Sequence, residues 1–150
     1  MKIAIVEGPL LDRIGSREPD VYGNFSRKEM IRSLNGEAEK SGIELVFLSS
    51  YIEGDLAKLI VNCDADGMII NPGAYTHTSL LLRDALLCWG KPFIEAHFSN
   101  VFAREIFREK SYISDISSGF VAGFSENTYK IALEGLTALI KRDNKIHGKT

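Results

Sequence analysis

The chain has 150 residues, 45% hydrophobic and 25% charged, with a formal net charge of −2. That composition describes one ordinary globular domain over residues 1–150, with enough apolar content for a real core. It excludes three classes: no stretch has the lysine and arginine density of a nucleic-acid footprint, no apolar run approaches the roughly 20 residues that cross a bilayer, and MKIAIVEG lacks the h-region and cleavage site of a signal peptide.

The first apolar run, IAIV (3–6), reads as a strand. It is followed by GPLLDRIGSREPDVYGN (8–24), a segment with three glycines and two prolines. So long a loop inside a compact domain is usually a lid or binding loop. Residues 24–42 have helical apolar spacing, with Asn24 or Ser26 as N-cap and Gly42 as stop. Then come a strand at 43–48, a helix at 53–63 and a strand at GMII (67–70). NPGAYTHTS (71–79) leads into a helix over 78–90, with Thr78 as its cap and Gly90 as its stop. A strand at 92–97, an irregular stretch at 99–118, a strand at 119–124 and a helix at 126–142 complete the chain.

Strands alternating with helices predict a parallel sheet covered on both faces. Five strands make a flavodoxin-like α/β fold the economical choice. Such sheets bind ligands at the carboxyl ends of their strands, near the switch in strand order. Cys63 and Cys88 lie in apolar segments and are expected to be core thiols of a reducing compartment, which points to the cytoplasm.

The polar residues near those strand ends form a short list: Arg17 and Tyr22 in the lid, Asn71, His77, Arg83 and Asp84 after the third strand, and Glu95, His97, Ser99, Asn100, Arg104, Arg108 and Tyr112 at and after the fourth. Each has a structural alternative: Asn71 as a turn former, a lone histidine as a satisfied structural residue, Arg17 with Glu18 as a surface pair, Glu95 as a buried anchor. The case for function is their convergence on one edge of the sheet. A guanidinium lowers a phenol pKa from near 10, so Arg17 can make Tyr22 a base. His97 can protonate a leaving oxygen. Glu95, two residues earlier, shares its side of a strand and can orient it. Backbone amides around Phe98 and Ser99 can hold a carboxylate. There is no phosphate cradle and no zinc spacing. No lysine falls in these turns, which argues against a Schiff base.

The lid GSREPDVYG, INPGAYTHTSLLLRDAL, FIEAHFSNVFAREIFREKSYIS and GFVAGFSENTYKIAL resemble the signature blocks of the type II 3-dehydroquinate dehydratases. The resemblance implies a flavodoxin-like fold, usually assembled as a dodecamer of four trimers. It implies reversible, cofactor-free and metal-free removal of water from 3-dehydroquinate through an enolate, a step of the shikimate pathway or of quinate catabolism. It implies Tyr22 as base activated by Arg17, and His97 as acid oriented by Glu95. Asn71, His77, Asp84, Phe98, Ser99 and Arg108 would hold the substrate. No membrane or nucleic-acid partner is implied.

One departure stands out. The family's first loop reads N-G-P-N-x-N, where this chain has EGPLLD: Glu7, Leu10 and Asp12 replace asparagines. The position matching Leu10 normally helps hold the water that stabilises the enolate. Phe102 replaces a usual histidine, and SSYIEG (49–54) replaces Q-S-N-x-E-G. These departures favour an alternative, a divergent paralogue that binds a related cyclic carboxylate with weak or no turnover. A flavodoxin-like cofactor module is a more distant reading, since no strand-end loop is a phosphate cradle.

Overall fold

A computed structural model describes residues 1–16, 19–22, 25–146 and 148. Its centre is a five-stranded sheet, β1 (Lys2–Glu7), β2 (Glu44–Ser49), β3 (Gly67–Asn71), β4 (Phe93–His97) and β5 (Gly119–Ala122), in the order β2-β1-β3-β4-β5. Every pairing is parallel. The helices are α1 (Pro19–Tyr22), α2 (Arg27–Lys40), α3 (Glu53–Val61), α4 (Leu80–Trp89) and α5 (Thr128–Ile146). None of the described helices is long and apolar enough to cross a membrane.

Two cores follow from the two-residue period of the strands. Ile3, Ile5 and Ile69 pack with Met30 and Leu34 of α2 and with Tyr129, Leu133 and Leu136 of α5. Ala4, Val6, Met68 and Ile70 face the other way, onto Leu56 and Ile60 of α3 and Leu82, Leu86 and Trp89 of α4. The central strands β3 and β4 are buried throughout, as strands covered on both faces must be. The edge strands β2 and β5 are half-exposed.

Strand order reverses between β1 and β3, which opens a crevice at their carboxyl ends. There the two backbones touch. Gly8 N–H donates to the Asn71 carbonyl at 2.8 Å, and a Cβ on Gly8 would lie 2.2 Å from the Pro72 carbonyl oxygen. Only glycine fits this approach.

The expected lid is partly built in. Leu11–Arg13 form a 3-10 turn, and Leu11 and Ile14 are buried with Phe25 packed on their cluster. Gly15, at φ +92°, would place a Cβ 2.6 Å from the Phe25 carbonyl oxygen, so the two ends of the loop meet. The stretch after β4 likewise holds 3-10 turns, Val101–Ala103, Ile106–Arg108 and Ser114–Ile116.

Three expectations are corrected. Ser26 does cap α2, accepting from Glu29 N–H, but Ser79, not Thr78, caps α4. The Thr78 N–H closes the preceding 3-10 turn onto the Tyr75 carbonyl, so the helix begins one hydroxyl later; Ser79 Oγ accepts from Leu82 N–H at 2.9 Å. Cys88 is exposed rather than a core thiol, because the buried face of α4 runs through Leu82, Ala85, Leu86 and Trp89. Cys63 is only half-buried, though partial desolvation still raises its thiol pKa. Asn24 lies outside the described residues.

Candidate active site

A cavity of about 200 Å³ sits on the carboxyl ends of β1, β3 and β4. Its walls include Leu10 after β1, Asn71 and His77 at and after β3, His97, Phe98 and Ser99 at and after β4, and Arg104 and Arg108. Residues as distant in sequence as Leu10 and Arg108 are thus gathered by the strand order. No lysine lines it among the described residues.

Its floor is a histidine–carboxylate pair. His97 Nε2 lies 2.7 Å from Glu95 Oε1, and Glu95 is 0% exposed. The period-two geometry of β4 puts both on one side, and three hydroxyls complete the carboxylate's shell. Thr76 donates to Oε1 at 3.0 Å, Ser111 lies 3.0 Å from both oxygens, and Ser114 also donates. Burial pushes the Glu95 pKa up, but the His97 hydrogen bond and charge, with Ser114 and Ser111, outweigh it and hold the carboxyl below its ordinary 4.5. With Nε2–H directed at Glu95, the Nδ1 of His97 is left for the cavity.

His77 stacks on His97 at 6.5 Å between ring centroids. Its Nδ1–H donates to the Lys110 carbonyl at 2.7 Å, which leaves Nε2 as a free acceptor. Burial is the main reason its pKa falls below 6.5. The Lys110 carbonyl opposes this, and the neighbouring His97 and Arg108 charges add to it. The two histidines are therefore differentiated. One is backed by a carboxylate, while the other keeps Nε2 as an acceptor.

Because the folded Glu95 pKa is depressed, its contribution to stability is complete above about pH 4.5 and is lost as pH falls through the folded value. Between about pH 5 and pH 3, wild-type stability in urea melts should fall more steeply than that of Glu95→Gln. Equal slopes would mean that Glu95 carries no such coupling.

Arg108 Nε lies 2.8 Å from Glu105, and Arg104 Nε lies 3.4 Å from the same carboxylate. Phe98 and Ser99 are buried at the wall. Of the residues expected at the site, Asn71, His77, Glu95, His97, Phe98, Ser99 and Arg108 converge here. Asp84 does not: it is exposed on α4, away from the cavity lining. Arg17 lies outside the described residues, and of Tyr22 only the backbone is described, in α1. Arg104, on the sequence short list, also lines the cavity, whereas Thr76, Ser111 and Ser114 were not singled out from sequence. Sixteen to nineteen residues separate Glu95 from its hydroxyls, and no local period links them.

A model of the family "Dehydroquinase class II" matches residues 1–137. The chain belongs to the class II dehydroquinase family. It is 44% identical over 144 residues to a 3-dehydroquinate dehydratase of Carboxydothermus hydrogenoformans, covering 95% of this chain and 94% of the relative. Its fold resembles type II dehydroquinase from Butyrivibrio crossotus, with a TM-score of 0.86 at 35% identity over 91% of this chain and 97% of that one. Type II dehydroquinase from Propionibacterium acnes gives 0.82 at 29% identity over 93% and 96%.

Within the family frame, the altered first loop can be located. Leu10 lines the cavity, is 45% exposed, and holds φ 68°, ψ 1°. A left-handed conformation costs a non-glycine residue about 1–2 kcal/mol, and asparagine tolerates it better than leucine. Glu7 and Asp12 are not among the lining residues. The Tyr51 hydroxyl donates to Asp12 at 2.5 Å, pairing two of the departures with each other.

Proposed function

We propose that the chain is a 3-dehydroquinate dehydratase, a hydro-lyase that forms 3-dehydroshikimate through an enolate. The observation that carries this is the Glu95–His97 pair at the floor of a cavity walled by His77, Asn71 and Arg108. Tyr22, activated by Arg17, takes a proton from the carbon beside the ketone. The enolate collapses and expels the hydroxyl, which leaves as water with a proton from His97 Nδ1. Glu95 stabilises the imidazolium before that transfer. Neutral His77 accepts from a substrate hydroxyl, Asn71 holds another, and Ser99, the Phe98 amide and Arg108 take the carboxylate.

Asp84 joins the site only if a second copy supplies it. It stands in an exposed stripe of α4 with Leu80, Leu81 and Leu87, which supports a homo-oligomer, with the dodecamer of four trimers as its form. The cytoplasm is the proposed location.

The product is a conjugated enone, so mixing purified protein with 3-dehydroquinate should raise ultraviolet absorbance. A second reading, binding with little turnover, is favoured by the apolar Leu10 at the wall. Calorimetric binding without an absorbance rise would select it.

Leu10→Asn separates the two further. Losing an oxyanion-type donor costs about 10²–10³ in rate, and that range bounds what a restored donor returns. The backbone already has a conformation that asparagine adopts readily. A gain in kcat of roughly tenfold or more is expected. Wild-type turnover unchanged by the substitution would show that another group already supplies the donor.

A further inference from the structure

We propose that Arg83 is a positioning residue for the Glu95–His97 pair, clamping from outside the cavity the segment 111–115 that brings two hydroxyls to Glu95; this rests on the dehydratase reading. Arg83 is half-buried on α4 and is not among the residues that line the cavity. Asp115, its main partner, is exposed.

The guanidinium makes a fork. Nη1 and Nη2 donate to the two oxygens of Asp115, the second at 2.9 Å, and Nη1 also donates to the Tyr112 carbonyl at 2.7 Å. The Tyr112 N–H in turn donates to the Thr76 carbonyl at 2.9 Å. The backbone of Tyr112 is therefore held on both sides, by α4 and by the turn after β3. Ser111 Oγ accepts from the N–H groups of Ile113 and Ser114 at 3.1 Å each, which closes the turn on itself. Ile113 seats that turn, buried against the α3 and α4 core. A two-pronged guanidinium–carboxylate pair fixes geometry where a single-point ammonium does not.

The two oxygens of Glu95 are served differently. Oε1 has His97 and Thr76, at 2.7 and 3.0 Å. Oε2 has Ser111 and Ser114, and among the described residues both of its donors come from the clamped segment. A buried carboxylate that loses such donors is penalised for its charge. It then turns away or takes up a proton, and in either case it stops holding His97 Nε2–H and supporting the imidazolium. Tyr112 enters this scheme through its backbone rather than its phenol, and Arg83 through a loop rather than the cavity.

The bland alternative is a surface ion pair that serves stability alone. Arg83→Gln distinguishes them when it is read in two backgrounds, the unaltered chain and Ser111→Ala with Ser114→Ala, where Thr76 still donates to Glu95. In the unaltered chain Arg83→Gln should lower kcat roughly three- to tenfold, the scale of one lost hydrogen bond. KM for 3-dehydroquinate should change little, because Glu95 acts through His97 on the chemical step. In the double-alanine background the same change should lower kcat about twofold or less, since no serine hydroxyl remains to be delivered. Asp115→Asn loosens the fork from its exposed side and should move kcat in the same direction, again only where the serines are present. If Arg83→Gln does not fold, Asp115→Asn is judged by the same comparison.

An unchanged kcat in a folded variant, a rise in KM alone, or an equal loss of kcat with and without the serines would overturn the positioning role while leaving the dehydratase reading intact. No turnover by the unaltered chain would remove the dehydratase reading, and this proposal with it.

Discussion

His97→Ala is expected to lower kcat about 10²–10⁴-fold, the range a general acid supplies, with KM changed only a fewfold. The leaving hydroxyl gains its proton in the transition state, so the loss falls on the chemical step rather than on ground-state binding. The fold should survive, because Glu95 keeps Thr76, Ser111 and Ser114 as donors after His97 is gone. Steady-state kinetics with a thermal melt of the same preparation provide the check. A variant that loses affinity but keeps kcat would make His97 a binding group, and the acid would have to be sought elsewhere.

Tyr22→Phe should depress kcat by a similar factor, about 10²–10⁴, through loss of the proton acceptor. The loop that carries it is rooted beside the cavity. Leu10 and Leu11 line the wall at one end, and Phe25 packs edge-on against the wall residue Phe98 at the other, 5.6 Å between centroids. Gly15 and Phe25 bring the two ends together. Arg17 lies in the same loop, and its removal should move the limb of kcat that reports the base toward alkaline pH, since phenolate loses its stabilising charge. Wild-type turnover by the phenylalanine variant would place the base on another residue.

The sheet was legible because each strand is a short apolar run bounded by glycine, proline or polar residues, and five such runs separated by helical patterns leave little choice of architecture. The helix cap was off by one residue because Thr78 and Ser79 are adjacent hydroxyls, and only the preceding turn decides which is free. The Glu95–His97 pair could be read locally, since two residues along a strand share a side. The hydroxyl shell of Glu95 could not, nor could the contact of Tyr129 with Glu7, which spans 122 residues. The departures Glu7 and Asp12 could not be given partners from sequence. Each has its own in the fold, Arg27 with Tyr129 for one and Tyr51 for the other. Asp84 was expected because it follows the third strand and because the resemblance gives it a substrate contact, yet a single chain does not bring it to the cavity.

In the proposed reaction, side chains at this cavity dehydrate 3-dehydroquinate by acid–base chemistry, without a metal or a Schiff base. Among the described residues, no group of three or more histidine, cysteine or acidic side chains is placed to hold a metal ion. The direct test is enone absorbance with 3-dehydroquinate after the protein has been dialysed against a strong chelator and, separately, treated with borohydride in the presence of substrate. A steady absorbance rise at the untreated rate is expected in both cases. No rise in the untreated protein would rule out the dehydration, and a rise abolished by either treatment would rule out metal-free, Schiff-base-free chemistry.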